Sequence, residues 1–237
     1  LCYDWGQYIT DPLTKIDSTH AQIGLTFPEN VKLTIFYEIV VNASMFTFHI
    51  ENEDNQPHDV GIKWYYDTMV ADNDGAPIYI PGQGIQEYER TFYNPTFDYF
   101  SGYDDPINPS LVSTGWIGPN KGATLPDVVQ LLDWSHGRNS WSVQTNSNTD
   151  ITGDSAVNLL WNETSISPSN SRTITTFYGV GEPIAHGTYS IVDAYTDRPD
   201  AKYLPGDDSV IGVDVYSHGS DLNGGDLRLV IYNGGTE

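Results

Sequence analysis

A single cysteine, Cys2, stands in a chain of 237 residues. An intrachain disulfide is therefore excluded, and the core must hold the fold, which a chain of this length can manage. Basic side chains are scarce as well: 10 Lys and Arg face 32 Asp and Glu, for a formal charge of −22. Such a field repels nucleic acid and anionic lipid and draws cations, so nucleic acid is excluded as a partner. Long apolar runs are missing. The best candidate, Leu33 to Val41, is broken by Glu38 and falls well short of the ~20 residues that a membrane-spanning helix needs. There is no Met at position 1 and no signal peptide, so the chain is expected to be a processed product or a fragment. Catalytic signatures are missing too. No G-x-S-x-G, P-loop or paired-carboxylate motif occurs, and the histidines (His20, His49, His58, His136, His186 and His218) show no metal-ligand spacing. The chain is expected not to be an enzyme.

What is present is apolar alternation. The apolar fraction is 38% and the aromatic fraction 13%, enough to fold, so the acidity does not signify disorder. Leu33, Ile35, Tyr37, Ile39 and Val41 share one face, as do Phe46, Phe48 and Ile50, and then Val60, Ile62, Trp64 and Tyr66. The period of two returns at Val157–Leu159–Trp161, Ile211–Val213–Val215 and Leu227–Leu229–Ile231. Turn chemistry separates these runs, at Glu53 to Pro57, Asp72 to Gly75, Gly118 to Gly122 and Ser167 to Asn170. No amphipathic helix of three turns is found. Leu125 to Leu132 admits one helical turn behind Pro126, although its Val pair suits a strand equally. The expected fold is all-β, an antiparallel β-sandwich over residues 1–182 with a small partial Ig-like β module over residues 188–237. The boundary falls near Gly179 to Gly187, and the last unit is too short for the seven strands of a free-standing Ig sandwich.

Several clusters invite a chemical reading. Asp72-Asn73-Asp74-Gly75, with Asp67 upstream, offers alternate carboxylates on a bendable loop, as Ca2+ requires. The same residues are ordinary hairpin chemistry, which is the preferred reading. No other cofactor is expected. Tyr99, Tyr103 and Trp116 lie in an aromatic-rich stretch suited to stacking on sugar rings or to burial at a subunit interface. Asn42 and Asn162 open glycosylation sequons. Cys2 is either a small buried hydrophobe or an intermolecular thiol.

Residues Val60 to Gly82, reading VGIKWYYDTMVADNDGAPIYIPG, resemble the core block of a family of uncharacterised archaeal and bacterial surface proteins. Further similar pieces are Asn108 to Ser113, Ala123 to Asp127, Asp154 to Val157 with Leu160 to Asn162, and Thr175 to Gly179. Asp197 to Val210, containing Tyr203-Leu204-Pro205-Gly206-Asp207, is similar to the opening of Ig-like repeats in envelope proteins. The resemblance implies a large β-sandwich of the shape seen in galactose-mutarotase-like domains, and no established activity. It also implies strands missing at both ends, hence strand sharing between copies of the chain. A mutarotase-like mechanism would need a His and a Glu to converge, and His58 or His136 with Glu87 or Glu89 are the candidates, which spacing does not join. The reading is an extracellular, cell-envelope structural subunit whose partners are copies of itself in a filament, sheath or lattice. The alternative is a carbohydrate-binding surface module with glycan partners.

Overall fold

The computed structural model describes residues 5–40, 42–119, 122–137, 140–181, 189–196 and 211–217. It divides into two units, Leu1–Pro183 and Ile184–Glu237. After a 3-10 turn at Trp5–Tyr8, the first unit carries β1 (Ile9–Lys15), β2 (His20–Thr26), β3 (Val31–Val40), β4 (Ala43–Asn52), β5 (His58–Asp67), β6 (Ile78–Ile80) and β7 (Gly84–Gln86). Then follow β8 (Arg90–Tyr93), β9 (Tyr99–Tyr103), β10 (Val112–Trp116), β11 (Val128–Asp133), one helical turn α1 (Trp134–Gly137), β12 (Ser155–Ile166) and β13 (Ser171–Gly181). In the second unit β14 (Tyr189–Thr196) pairs antiparallel with β15 (Ile211–Ser217). The remaining residues of the expected Ig-like module, the Leu227–Ile231 run and Cys2 lie outside the described residues.

The first unit is an antiparallel β-sandwich. Its large sheet has nine strands in the order β1-β2-β3-β4-β13-β10-β9-β6-β7, and its small sheet has four, β5-β12-β11-β8. The alternation read from the sequence sets which side chains face inward. Leu33, Ile35, Phe48, Ile50 and Ile174 of the large sheet meet Tyr66, Val129, Leu131, Val157, Leu159 and Trp161 of the small one, and all are buried. Aromatic rings fill the middle: Phe48 sits edge-on to Trp64 at 5.0 Å, and Tyr66 stacks on Tyr178 at 4.7 Å. The open choice at Leu125–Leu132 resolves as strand, since β11 is an interior strand paired on both sides and its Val side chains pack into the core.

Departures from regularity have local causes. Between Trp161 and Thr164 the β12 register slips by one residue against β5, a β-bulge. Arg172 closes it by donating Nη1 to the carbonyls of Val60 (2.8 Å) and Asn162 (2.7 Å). At the edge, β1 is exposed along its whole length, carries Pro12 and pairs irregularly with β2. Each of these features discourages strand addition at an open edge.

Trp161 joins the two layers, because its ring is buried while Nε1 donates to the Thr124 carbonyl at 2.8 Å. Trp161→Ala should cost about 3–5 kcal/mol, read as a lowered midpoint in urea unfolding with an unchanged m-value.

Candidate functional site

A groove of about 550 Å³ opens at one end of the large sheet. It is lined by the end of β3 (Tyr37, Ile39), the start of β4 (Ala43, Ser44), the start of β10 (Val112, Ser113) and the end of β13 (Tyr178 to Val180). Met69 to Ala71 and Leu111 complete it. These strand ends coincide because the strands are antiparallel and in register: Ile39 faces Ser44, and Ser44 faces Tyr178. β5 of the small sheet stops at Asp67, so the inner face of the large sheet continues beyond its cover. The groove therefore exposes apolar side chains of a core-facing surface. Met69 is 54% exposed and Val180 52%, beside Ile39 and Leu111.

Polar groups are spaced along this apolar lining. Tyr37 Oη and Ser44 Oγ are hydrogen-bonded at 3.0 Å, and Asn42 Nδ2 donates to the Val180 carbonyl at 2.6 Å. Ser113 Oγ and Tyr178 Oη are shielded from solvent and find no hydrogen bond of good geometry. Burial pushes the Tyr178 phenol above its ordinary value, the nearby Ser113 hydroxyl pulls it back, and the Asp67 carboxylate adds to the rise.

Where β5 ends and β12 begins, carboxylate oxygens of Asp67, Asp74 and Asp154 lie within 4.8 Å of one another. These are the described residues that could together hold a divalent cation. The expected trio of Asp67, Asp72 and Asp74 is thus corrected in one member. Val70 and Asn73 exchange backbone hydrogen bonds of 2.9 and 3.0 Å, which closes a tight turn and leaves Asp72 exposed at its tip. Asp74 follows on the other side of that turn, where its carbonyl accepts from Ser155 N at 2.9 Å, next to Asp154. Buried Thr68 and Ser155 fasten the three segments: Thr68 Oγ1 bonds the Ser155 carbonyl at 2.8 Å, and Ser155 Oγ donates to the Ala76 carbonyl at 2.8 Å. A Cβ at Gly75 would meet the Thr152 carbonyl oxygen at 1.7 Å, so only glycine permits this approach. Asp154 lies about eighty residues from the motif, and no spacing rule links it to Asp67.

The aromatic stretch needs a larger correction. Tyr99 and Tyr103 are 8% and 7% exposed, because β9 runs between β10 and β6 inside the large sheet and every residue of it is buried. Burial pushes the Tyr103 phenol up to about 12. These two rings cannot stack on an external sugar or partner, and Trp116 is half-buried. Among the aromatics of that stretch, Tyr88 and Tyr93 are the exposed ones. Both sequon asparagines are exposed, Asn42 at the turn into β4 and Asn162 on the β12 bulge.

One convergence went unforeseen by spacing: His136 Nδ1 meets Glu89 Oε1 at 2.6 Å. Glu89 is 2% exposed and also accepts from Asn146 N (2.9 Å) and Asp133 N (3.4 Å). Both carboxylate oxygens are thus engaged by the fold. They fasten the β11–β12 connection over the outer face of the small sheet, where Gln130 Nε2 bonds the Val143 carbonyl (2.7 Å) and Lys63 Nζ the Ser140 carbonyl (2.7 Å). His58, the other candidate, pairs instead with Asp54 at 2.8 Å.

Two outcomes follow from these clusters. Glu89→Gln should destabilise by about 1–3 kcal/mol, with proteolysis first cutting residues 134–150. At the acidic cluster, burial and then neighbouring carboxylates raise the Asp67 and Asp154 pKa values. A raised carboxyl binds its proton more tightly folded than unfolded, so the cluster costs stability as pH rises through that window. Asp154→Asn should accordingly raise the melting temperature near neutral pH at low salt, and the gain should vanish below about pH 4. A calcium-induced rise in the wild type that the variant loses would assign an ion to the cluster.

No protein-family description and no curated protein matches the chain. Among solved structures it is similar to a galactose mutarotase related enzyme from Lactobacillus acidophilus, with a TM-score of 0.49 and 8% identity over 72% of this chain and 71% of that one. A galactose mutarotase-like protein from Lactobacillus casei gives a TM-score of 0.45 and 8% identity, covering 72% of each chain. A polysaccharide lyase covers 84% of this chain but only 32% of its own, with a TM-score of 0.41 and 10% identity. These likenesses are of fold alone and assign neither family nor role.

Proposed function

We propose that the chain is a carbohydrate-binding β-sandwich protein and that the groove at the end of β3, β4, β10 and β13 is its sugar site. The carrying observation is the groove itself. Its volume of about 550 Å³ falls within the ~300–1,000 Å³ of small-ligand pockets. A pyranose presents apolar C–H faces between directional hydroxyls, and the groove offers the complement. Met69, Leu111, Ile39 and Val180 supply apolar surface, and Ser44, Asn42 and Tyr37 supply polar atoms. An exposed apolar patch of this kind, rimmed by polar groups, marks a binding surface.

This reading is preferred to the assembly subunit expected from the sequence. Strand sharing was expected for a first unit short of strands, whereas among its described residues thirteen strands enclose a shared core. The extracellular location stays part of the proposal, since sugar polymers of envelopes are met there. Among the described residues no helix is long and apolar enough to cross a membrane.

Titration calorimetry against a panel of soluble oligosaccharides should detect binding. The Met69→Ala, Leu111→Ala double variant should weaken it about tenfold at an unchanged melting temperature, both side chains being exposed. Undiminished binding by the double variant would sink the assignment of the groove.

A further inference from the structure

We propose that Asn42 carries an N-linked oligosaccharide and that this attached glycan is the sugar that occupies the groove. The inference rests on the carbohydrate reading above and names the source of its ligand, the chain's own modification. Position is the first observation. Asn42-Ala43-Ser44 is a glycosylation sequon, and all three of its residues line the groove. Asn42 is exposed at the turn from β3 into β4. The other sequon asparagine, Asn162, is exposed as well, but neither it nor Glu163 or Thr164 lines the groove.

The bonding of Asn42 leaves room for the modification. Its carbonyl accepts from Val180 N at 2.9 Å, and its Nδ2 donates to the Val180 carbonyl at 2.6 Å. The side chain thus continues the β4–β13 ladder past its last pair, Ala43 with Gly179. A carboxamide has two N–H donors. A glycosylated one keeps a single N–H, which suffices for the bond to Val180. Attachment requires a separate transferase and a glycosyl donor activated as a phosphate or diphosphate ester. Nδ2 bonds to the donor's anomeric carbon and the anomeric C–O bond breaks. The phosphate ester leaves with the electron pair, and one Nδ2 proton passes to a base. Val180 follows Asn42 by 138 residues, so a chain modified during synthesis presents Asn42 before β13 can pair.

The second observation is the apolar surface left uncovered. Ile39, Met69, Leu111 and Val180 are large apolar side chains that stay exposed, and all four line this groove. A contiguous exposed patch of that kind marks a surface with a partner. Pyranose rings linked to Nδ2 begin at the groove wall, and their contact with it is intramolecular, so a weak affinity suffices for occupancy. Their C–H faces match the apolar side chains, while the hydrogen-bonded hydroxyls of Tyr37 and Ser44 stand on the same lining. Among the described residues no Lys, Arg, Asp or Glu lines the groove, which suits uncharged sugars next to the linkage.

The test compares the full chain made in a host that performs N-glycosylation with the same chain made in one that does not. Glycopeptide mass analysis should find a glycan at Asn42 that Asn42→Gln and Ser44→Ala remove and Ser44→Thr retains. Peroxide oxidation then reads the cover, since it converts methionine to the sulfoxide and the chain has two methionines. Met69 lines the groove, whereas Met45 alternates with the inward Phe46 and Phe48 and lies on the other face of β4. The glycan should slow Met69 oxidation several-fold and leave Met45 unchanged. Calorimetric titration with glucose and N-acetylglucosamine tetramers should detect binding to the unglycosylated chain and lose it in the glycosylated one. No glycan at Asn42, or one that leaves Met69 oxidation unchanged, would overturn the inference, and the sugar groove would then stand or fall on its own titration. Equal tetramer binding by both forms would overturn it while leaving the sugar groove standing. Shielding of Met69 that grows with concentration in the unglycosylated chain would overturn it too, by assigning the cover to a second copy. A glycan that shields Met69 on a chain whose bare form binds no oligosaccharide would uphold the attached cover and overturn the groove as a site for free sugar.

Discussion

Nine strands on one side and four on the other cannot cover each other completely. That mismatch governs most of what is distinctive in the first unit. Where β5 and β12 lie over β4 and β13, the inner faces interlock and Phe48, Ile174 and Trp161 are buried. Where β5 ends, the inner face of the large sheet runs on, and the side chains that would have been core become the lining of a groove. At the far edge the same mismatch leaves β1 uncovered on both faces. There the surplus is managed by Pro12 and an irregular register rather than by burial.

Tyr66 and Asp67 mark the place where covered sheet becomes open sheet. The Tyr66 ring is the last member of the aromatic core, stacked on Tyr178 and close to Phe100. Its successor Asp67 leaves that core and meets Asp74 and Asp154. Holding three carboxylates together costs electrostatic free energy, which the Thr68–Ser155 hydrogen bonds and the close passage at Gly75 sustain. Elsewhere on the outer face of the small sheet another need is met. There Glu89, Gln130 and Lys63 satisfy the backbone of a long irregular connection, as a segment without secondary structure requires when laid over a sheet. The meeting of His136 with Glu89 belongs to that fastening, because the carboxylate already serves two backbone amides.

The sheet-forming segments were legible because their cause is local. Leu33–Ile39, Phe46–Ile50, Val60–Tyr66 and Val157–Trp161 alternate with period two, and all four are strands whose apolar set faces the inner side, with Ile39 left exposed at the groove. β8, β9 and β10 were harder to see, since Tyr99 to Tyr103 is buried on both faces and shows no alternation. The aromatics of that stretch looked like a binding surface for the same reason, as composition does not reveal that a strand has neighbours on both sides. Asp67 and Asp74 could be picked out from a motif. Asp154 and the groove could not, since both arise only when β4, β10, β12 and β13 are brought together from distant parts of the chain.

The charge of the chain has a second meaning once these positions are known. Basic residues are few, and Lys63 and Arg172 are spent on backbone carbonyls of the fold, the one under the β11–β12 connection and the other at the β12 bulge. Cations used in this way neutralise no partner surface, so the outward field stays strongly negative. A field of that kind raises the local concentration of any cationic ligand but gives it no orientation, and salt weakens it over about 10 Å. Orientation must come from short-range groups. Among the described residues of the first unit, the groove is where exposed apolar side chains and polar groups occur side by side. General attraction by the surface and selection at one site are therefore separable, and only the second depends on the side chains that line the groove.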